Sequence, residues 1–257
     1  MRRDAADALS KVPQVTLGFW AIKILATTLG ETGGDALSMQ LKLGYAVASL
    51  IFLAFFAVTL AVQVGARRFH PLFYWAVVVA TTTVGTTTSD YFDRTLGLGY
   101  VKSSAILLAM VLAILATWRR TTGTIAVDRI TTPTNEVFYW LTILVSNTLG
   151  TALGDFTATT ADLGFEGGAL VFAGLIALTA LAWRFTRTPI PILFWAAYVL
   201  TRPLGATLGD LLTKPPTDGG LGLSRIDSSL AIAALMIAGV WLTAWRARRD
   251  TRNAAPG

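Results

Sequence analysis

The sequence predicts an all-α integral membrane protein of eight transmembrane helices, built as four parallel two-helix repeats in two tandem halves, with both termini cytoplasmic. Three observations lead there. The 257 residues are 54% hydrophobic and only 14% charged, whereas soluble domains carry about 25% charged residues. Mean hydropathy is +0.60. The charges are clumped, leaving apolar runs such as Ala46 to Val64 and Ser103 to Trp118 that approach or reach the roughly 18–20 residues needed to cross a hydrocarbon core. One residue pattern also recurs four times. A soluble helical core is excluded because eight such segments would leave too little polar surface.

The helices fall near 14–37, 44–66, 72–90, 101–118, 136–155, 166–184, 190–212 and 228–246. They form a single membrane domain over 1–257, with repeats at about 11–68, 69–120, 129–187 and 188–249. Fourteen basic residues, among them Arg2, Arg3, Arg67, Arg68, Arg119 and Arg120, collect at one set of helix ends. Five (Lys42, Arg94, Lys102, Lys214 and Arg225) lie at the other, and Lys23 and Arg202 fall inside spans, which accounts for all 21. The positive-inside rule then places both termini in the cytoplasm, in agreement with an even span count. Trp118, Trp183, Trp241 and Trp245 stand beside the basic ends and read as interfacial anchors.

Smaller signals bound the function. There is no cysteine, so neither a disulfide nor a thiolate metal site is available. The first ten residues are polar and no cleavable signal pattern follows, so insertion is expected to begin with the first span. The single histidine, His70, precedes Pro71 in a short turn and reads as a surface residue. The net charge of +6 is distributed by topology, and nucleic acid is not an expected partner. The expected partners are the lipid bilayer and a small inorganic ion, with homo-oligomerisation left open.

The repeat is anchored on Trp20, Trp75, Trp140 and Trp195. Ten residues on stands a glycine (Gly30, Gly85, Gly150, Gly205), and fifteen on an aspartate (Asp35, Asp90, Asp155, Asp210). A small residue precedes each aspartate: Gly34, Ser89, Gly154 and Gly209. A Leu-Gly turn follows (Leu43-Gly44, Leu98-Gly99, Leu163-Gly164, Leu221-Gly222) and leads into a second helix with few polar residues, expected to face lipid. Tryptophan spacings of 55, 65 and 55 residues set copies one and three, and copies two and four, 120 apart, as expected of two rounds of duplication. Two spans per copy make the copies parallel, related by an axis along the membrane normal.

At about 100° per residue, the recurrent glycine and the small residue share one stripe, a small-xxx-small packing seam. The aspartate falls beside Thr28 and Glu31 in copy one, Thr83 and Thr86 in copy two, and Thr148 and Thr151 in copy three. Copy four has Pro203 and Ala206 there.

The stretch from Lys11 to Ser38, KVPQVTLGFWAIKILATTLGETGGDALS, resembles the opening of a bacterial membrane family made of tandem copies of a repeat of unknown function, usually called uncharacterised membrane-anchored proteins. The resemblance covers nearly the whole chain. It implies this fold and a bacterial inner-membrane location, and it supplies no activity.

Function is therefore read from the residues. A Gly-Asp pair roughly 30 Å along a helix can simply end it at the interface. Against that, Glu31 lies one turn deeper, and Lys23 and Arg202 lie deeper still, where a lipid-facing charge costs a few kcal/mol, roughly. A hydrophilic path between the four leading helices is the favoured reading, with Lys23 and Arg202 as intramembrane charge partners. Carboxylate and hydroxyl oxygens suit hard cations, so Asp35, Asp90, Asp155 and Asp210 are candidate metal ligands. The expected function is a transporter or channel for a hard cation of the Mn²⁺/Ca²⁺ class, exchanged for protons that buried carboxylates take up readily. No cofactor is required; a divalent cation would be the substrate.

Gly30 to Ser38 is loosely similar to the Glu-x-Gly-Asp-Lys/Arg-Thr/Ser signature of manganese and calcium exchangers, with spacing off by one and no basic residue after Asp35. An intramembrane aspartate-dependent enzyme is the alternative. Thr32-Gly-Gly-Asp, Ala152-Leu-Gly-Asp and Thr207-Leu-Gly-Asp are similar to the protease Gly-x-Gly-Asp motif but lack its first glycine, and no Pro-Ala-Leu follows. A structural or sensory protein, using the glycines without the acids, is the third reading.

Overall fold

The computed structural model describes residues 11–66 and 69–253. Arg2, Arg3, Arg67 and Arg68, which the sequence assigns to one set of helix ends, lie outside the described residues. Eight α-helices run in order: α1 (Leu17–Asp35), α2 (Gly44–Gly65), α3 (Pro71–Asp90), α4 (Tyr100–Thr122), α5 (Pro133–Asp155), α6 (Gly164–Phe185), α7 (Ile190–Thr213) and α8 (Arg225–Asn253). Among the described residues there is no β-strand.

Local chemistry sets the ends. Thr16 caps α1 by accepting from the Phe19 amide, and Thr132 caps α5 by accepting from that of Asn135. Pro71 and Pro133 occupy first-turn positions, where a missing N–H costs nothing. The repeat aspartate closes the α-helical part of α1, α3 and α5, and one π-helical turn continues each to Gln40, Thr95 and Thr160. Copy four has no such turn: α7 ends at Thr213, before Pro215 and Pro216. The glycine of every Leu-Gly turn has positive φ (76°, 78°, 65° and 68° at Gly44, Gly99, Gly164 and Gly222), which explains its recurrence.

Two concentric layers result. The leading helices α1, α3, α5 and α7 form a closed inner ring, each packed against the next and α7 against α1. The second helices stand outside, and each packs chiefly on the leading helix of the following copy: α2 on α3, α4 on α5, α6 on α7, and α8 back on α1. Every copy thus completes its neighbour, and no two-helix unit is self-contained. The apolar stretches of the outer helices are only 17–22% buried, against 72% for α5 and 61% for α7.

Six of the eight helices are long and apolar enough to cross a membrane. The remaining two, α1 and α3, have the length. Lys23, Glu31 and Asp35 lower the hydropathy of α1, and six threonines between Thr81 and Thr88 lower that of α3.

An aromatic girdle closes one end of the ring. The residue before each repeat tryptophan packs on the tryptophan of the next copy: Phe19 on Trp75 (5.5 Å), Tyr74 on Trp140 (5.7 Å), Tyr139 on Trp195 (5.9 Å) and Phe194 on Trp20 (5.6 Å). Pairs of this kind contribute about 0.5–1.5 kcal/mol beyond burial. Tyr74 and Tyr139 also share a 2.6 Å hydroxyl–hydroxyl bond.

Trp118 departs from the anchor reading. It is fully buried, donates from Nε1 to Asn135 Oδ1 (2.8 Å) and stacks on Phe138. Its basic neighbours made it look interfacial, but the α4–α5 contact claims the ring. Trp183, Trp241 and Trp245 are exposed.

Candidate ion site on the bundle axis

Steps of four residues along each inner helix produce stacked layers. Above the girdle lie Lys23, Val78, Ile143 and Tyr198; next Thr27, Thr82, Asn147 and Arg202; then Glu31, Thr86, Thr151 and Ala206; and last the four aspartates. All sixteen side chains are buried.

The glycine seam brings these layers together. The glycine ten residues after the tryptophan faces the second-layer residue of the next helix, and a methyl group there would collide with Thr82 at Gly30, Arg202 at Gly150 and Thr27 at Gly205. At Gly85 the obstacle is backbone, the carbonyl carbon of Asn147 at 2.8 Å. Gly34, Gly154 and Gly209 face Thr86, Ala206 and Glu31 in the third layer. Ser89, the non-glycine member, donates to Asp93 Oδ2 (3.1 Å).

Close approach lets second-layer hydroxyls bond across helices: Thr27 to the Thr201 carbonyl (3.1 Å) and Thr82 to that of Ala26 (3.2 Å). Asn147 does the same through its amide, donating to Thr81 Oγ1 (2.9 Å). In copy four, Arg202 reaches along the axis instead. Its Nη2 donates to Glu31 Oε2 (3.0 Å), Thr86 Oγ1 (2.5 Å) and Thr151 Oγ1 (2.6 Å), so one guanidinium from α7 touches α1, α3 and α5.

The aspartates gather in two pairs, each clamped by a cation one turn beyond one of its members. Arg94 bridges Asp90 (2.7 Å) and Asp155 (3.3 Å); Lys214 bridges Asp35 (2.9 Å) and Asp210 (3.1 Å). Arg225, at the start of α8, adds a 3.5 Å contact to Asp35. Burial works against the Lys214 ammonium, but the Asp210 and Asp35 carboxylates outweigh it and raise its pKa well above the ordinary lysine value. The bundle is therefore fourfold in backbone and twofold in charge, because only copies two and four carry a cation four residues past the aspartate; copies one and three have Met39 and Thr159 there.

One oxygen from each of Glu31, Asp35 and Asp210 lies within 4.8 Å of the others. Hard divalent ions take oxygens at roughly 2.1–2.6 Å, so opposite ligands stand about 4–5 Å apart, and this group fits such an ion. Asp35 Oδ1 has no hydrogen-bond partner among the described residues. Nor has Asp210 Oδ1, whose contact with Lys214 is an ion pair without hydrogen-bond geometry. A cleft of about 730 Å³ opens beside this layer, lined by Arg94, Asp155, Thr213, Lys214 and Arg225 among others.

Of the threonines singled out by the sequence, Thr86 and Thr151 reach the axis. Thr28, Thr83 and Thr148 are buried on the flank, and their hydroxyls donate to carbonyls one turn back in their own helices. Arg94 and Lys214 read as end charges in the sequence, although their spacing of four from a repeat aspartate signals a same-face pair. Arg225 likewise read as an end charge, and nothing in the sequence linked it to Asp35, 190 residues away.

Four stretches of the chain, 18–69, 73–124, 138–188 and 193–249, match a family described as a Repeat of Unknown Function (DUF347). Together they cover most of the sequence. The chain belongs to this family. Each DUF347 repeat holds one inner and one outer helix, so the family unit coincides with the sequence repeat and not with a packing unit. No curated protein and no solved structure matches the chain.

Proposed function

We propose that this DUF347 protein is a multi-pass transporter for a hard divalent cation of the Mn²⁺/Ca²⁺ class, exchanged for protons, with all eight helices crossing the bilayer and both termini in the cytoplasm. The observation that carries the reading is the buried Glu31–Asp35–Asp210 group beside a cleft, with carboxylate oxygens left unpartnered. Lys214 supplies a tethered positive charge that the ion would displace, and displacement of a bound cation by an incoming one is what exchange requires. The aromatic girdle supports gating at the opposite end, which alternating access needs. A paired-aspartate enzyme gains no comparable support, because each aspartate pair is bridged by a cationic side chain.

Proteoliposomes loaded with Mn²⁺ or Ca²⁺ under an imposed pH gradient test this. Ion flux is expected from the natural protein and from Glu166→Gln on exposed α6, and its loss from Asp35→Asn and Asp210→Asn. Lys214→Met removes the internal competitor and should tighten cation binding by on the order of tenfold, or ~1.4 kcal/mol. Absence of flux across several hard cations would sink the proposal.

A further inference from the structure

The acidic layer is not the only concentration of charge on the axis. Two and three turns deeper than the aspartates, Arg202 and Lys23 are both 0% exposed, and the only carboxylate among the first three layers is Glu31. One of its oxygens is engaged: Glu31 Oε2 accepts from Arg202 Nη2 and from Thr86. In their charged forms Lys23 and Arg202 set two cations against the one anion of Glu31, an excess of +1 along this stretch of the axis. In a low-dielectric interior such an excess is costly unless it is countered locally.

Hydrogen bonding shows the same imbalance. Lys23 Nζ, Arg202 Nε and Arg202 Nη1 have no hydrogen-bond partner among the described residues, and in the same two layers only Asn147 Oδ1 and the Tyr198 hydroxyl are likewise unpartnered, fewer groups than the six N–H they would have to serve. An ammonium carries three N–H groups and the two guanidinium nitrogens carry three more, and neither side chain can accept. Lys23 Nζ lies 4.3 Å from the centre of the Tyr198 ring, a contact that satisfies part of its charge and none of its donors. The rest of that layer is Val78 and Ile143, fully buried and apolar.

We infer that Lys23 and Arg202 form the two sides of a binding site for a small monovalent anion of halide size on the bundle axis. An acceptor-only ion of charge −1 answers both imbalances at once, whereas water would satisfy donors and leave the charge. Val78 and Ile143 in the Lys23 layer supply no further donors, which disfavours an oxyanion whose several oxygens each need one. The site is separate from the cleft cations Arg94, Lys214 and Arg225, which are already paired with aspartates, and it does not depend on which ion the acidic layer carries.

The test is thermal unfolding of the detergent-purified full chain, with chloride replaced stepwise by gluconate at constant ionic strength. The midpoint is expected to rise saturably with chloride, and bromide should act alike. In Lys23→Met the chloride concentration for half-maximal effect should increase at least tenfold, while Arg120→Gln on exposed α4 keeps the natural response. Equilibrium binding of radioactive chloride to the unaltered protein should give about one ion per chain, which keeps the inference testable should Lys23→Met not fold. No difference between chloride and gluconate, an unchanged response in Lys23→Met, or a response lost in Arg120→Gln would each overturn the site.

Discussion

Arg202 ties α7 to α1, α3 and α5 at once, and Arg202→Met is the informative way to remove it. Methionine fills much of the volume and keeps the contact with Gly150, so the loss is chiefly of charge and hydrogen bonds. Three bonds from Nη2 disappear, to Glu31, Thr86 and Thr151. Glu31 is left as a buried carboxylate with Thr86 as its remaining donor. Removing one partner of a buried pair typically costs about 3–5 kcal/mol, most of it the penalty on the charge left behind. Glu31→Gln alone should cost less, since Thr86 and Thr151 still hold the guanidinium. The double variant should recover at least about 1 kcal/mol of the Arg202→Met loss, because no stranded carboxylate remains. Equilibrium unfolding in mixed micelles, followed by tryptophan fluorescence, measures all three. Additive losses, or a neutral Arg202→Met, would refute the claim that this pair is a coupled, desolvated element of the axis.

Three further outcomes follow from the packing and topology. Gly85→Ala should destabilise by about 1–3 kcal/mol, since its methyl meets backbone that cannot rotate away, whereas Gly174→Ala, facing open space on α6, should be neutral or gain up to about 1 kcal/mol of helix propensity in the same unfolding assay. Trp118→Phe should lower stability by about 1–2 kcal/mol through the lost bond to Asn135, and Trp183→Phe should change it by less than about 0.5 kcal/mol. Because the chain has no cysteine, single cysteines at Thr121 and Ala161 can be labelled with an impermeant maleimide. With eight spans they should react from opposite sides of the membrane, Thr121→Cys from the cytoplasm; labelling of both from one side would contradict that topology.

The sequence by itself determined the units. Hydropathy, the alternation of basic ends and the Trp–Gly–Asp spacing defined eight helices and four copies, because crossing lipid constrains composition and duplication preserves spacing. Spacing also identified the seam glycines and the aspartates, which are local properties of one helix. It could not settle how the copies assemble, since any one helix turned through several tens of degrees keeps the same pattern. Only the tertiary structure decided that outer helices pack on the following copy, that Trp118 is core, and that Thr86 and Thr151 reach the axis while Thr28, Thr83 and Thr148 do not. The same holds for charge. Five carboxylates and scattered cations were legible as a list, yet their pairing through Arg94, Lys214, Arg225 and Arg202 joins residues up to 190 positions apart. Coulomb energy depends on distance in space and on local dielectric, and neither is written along the chain.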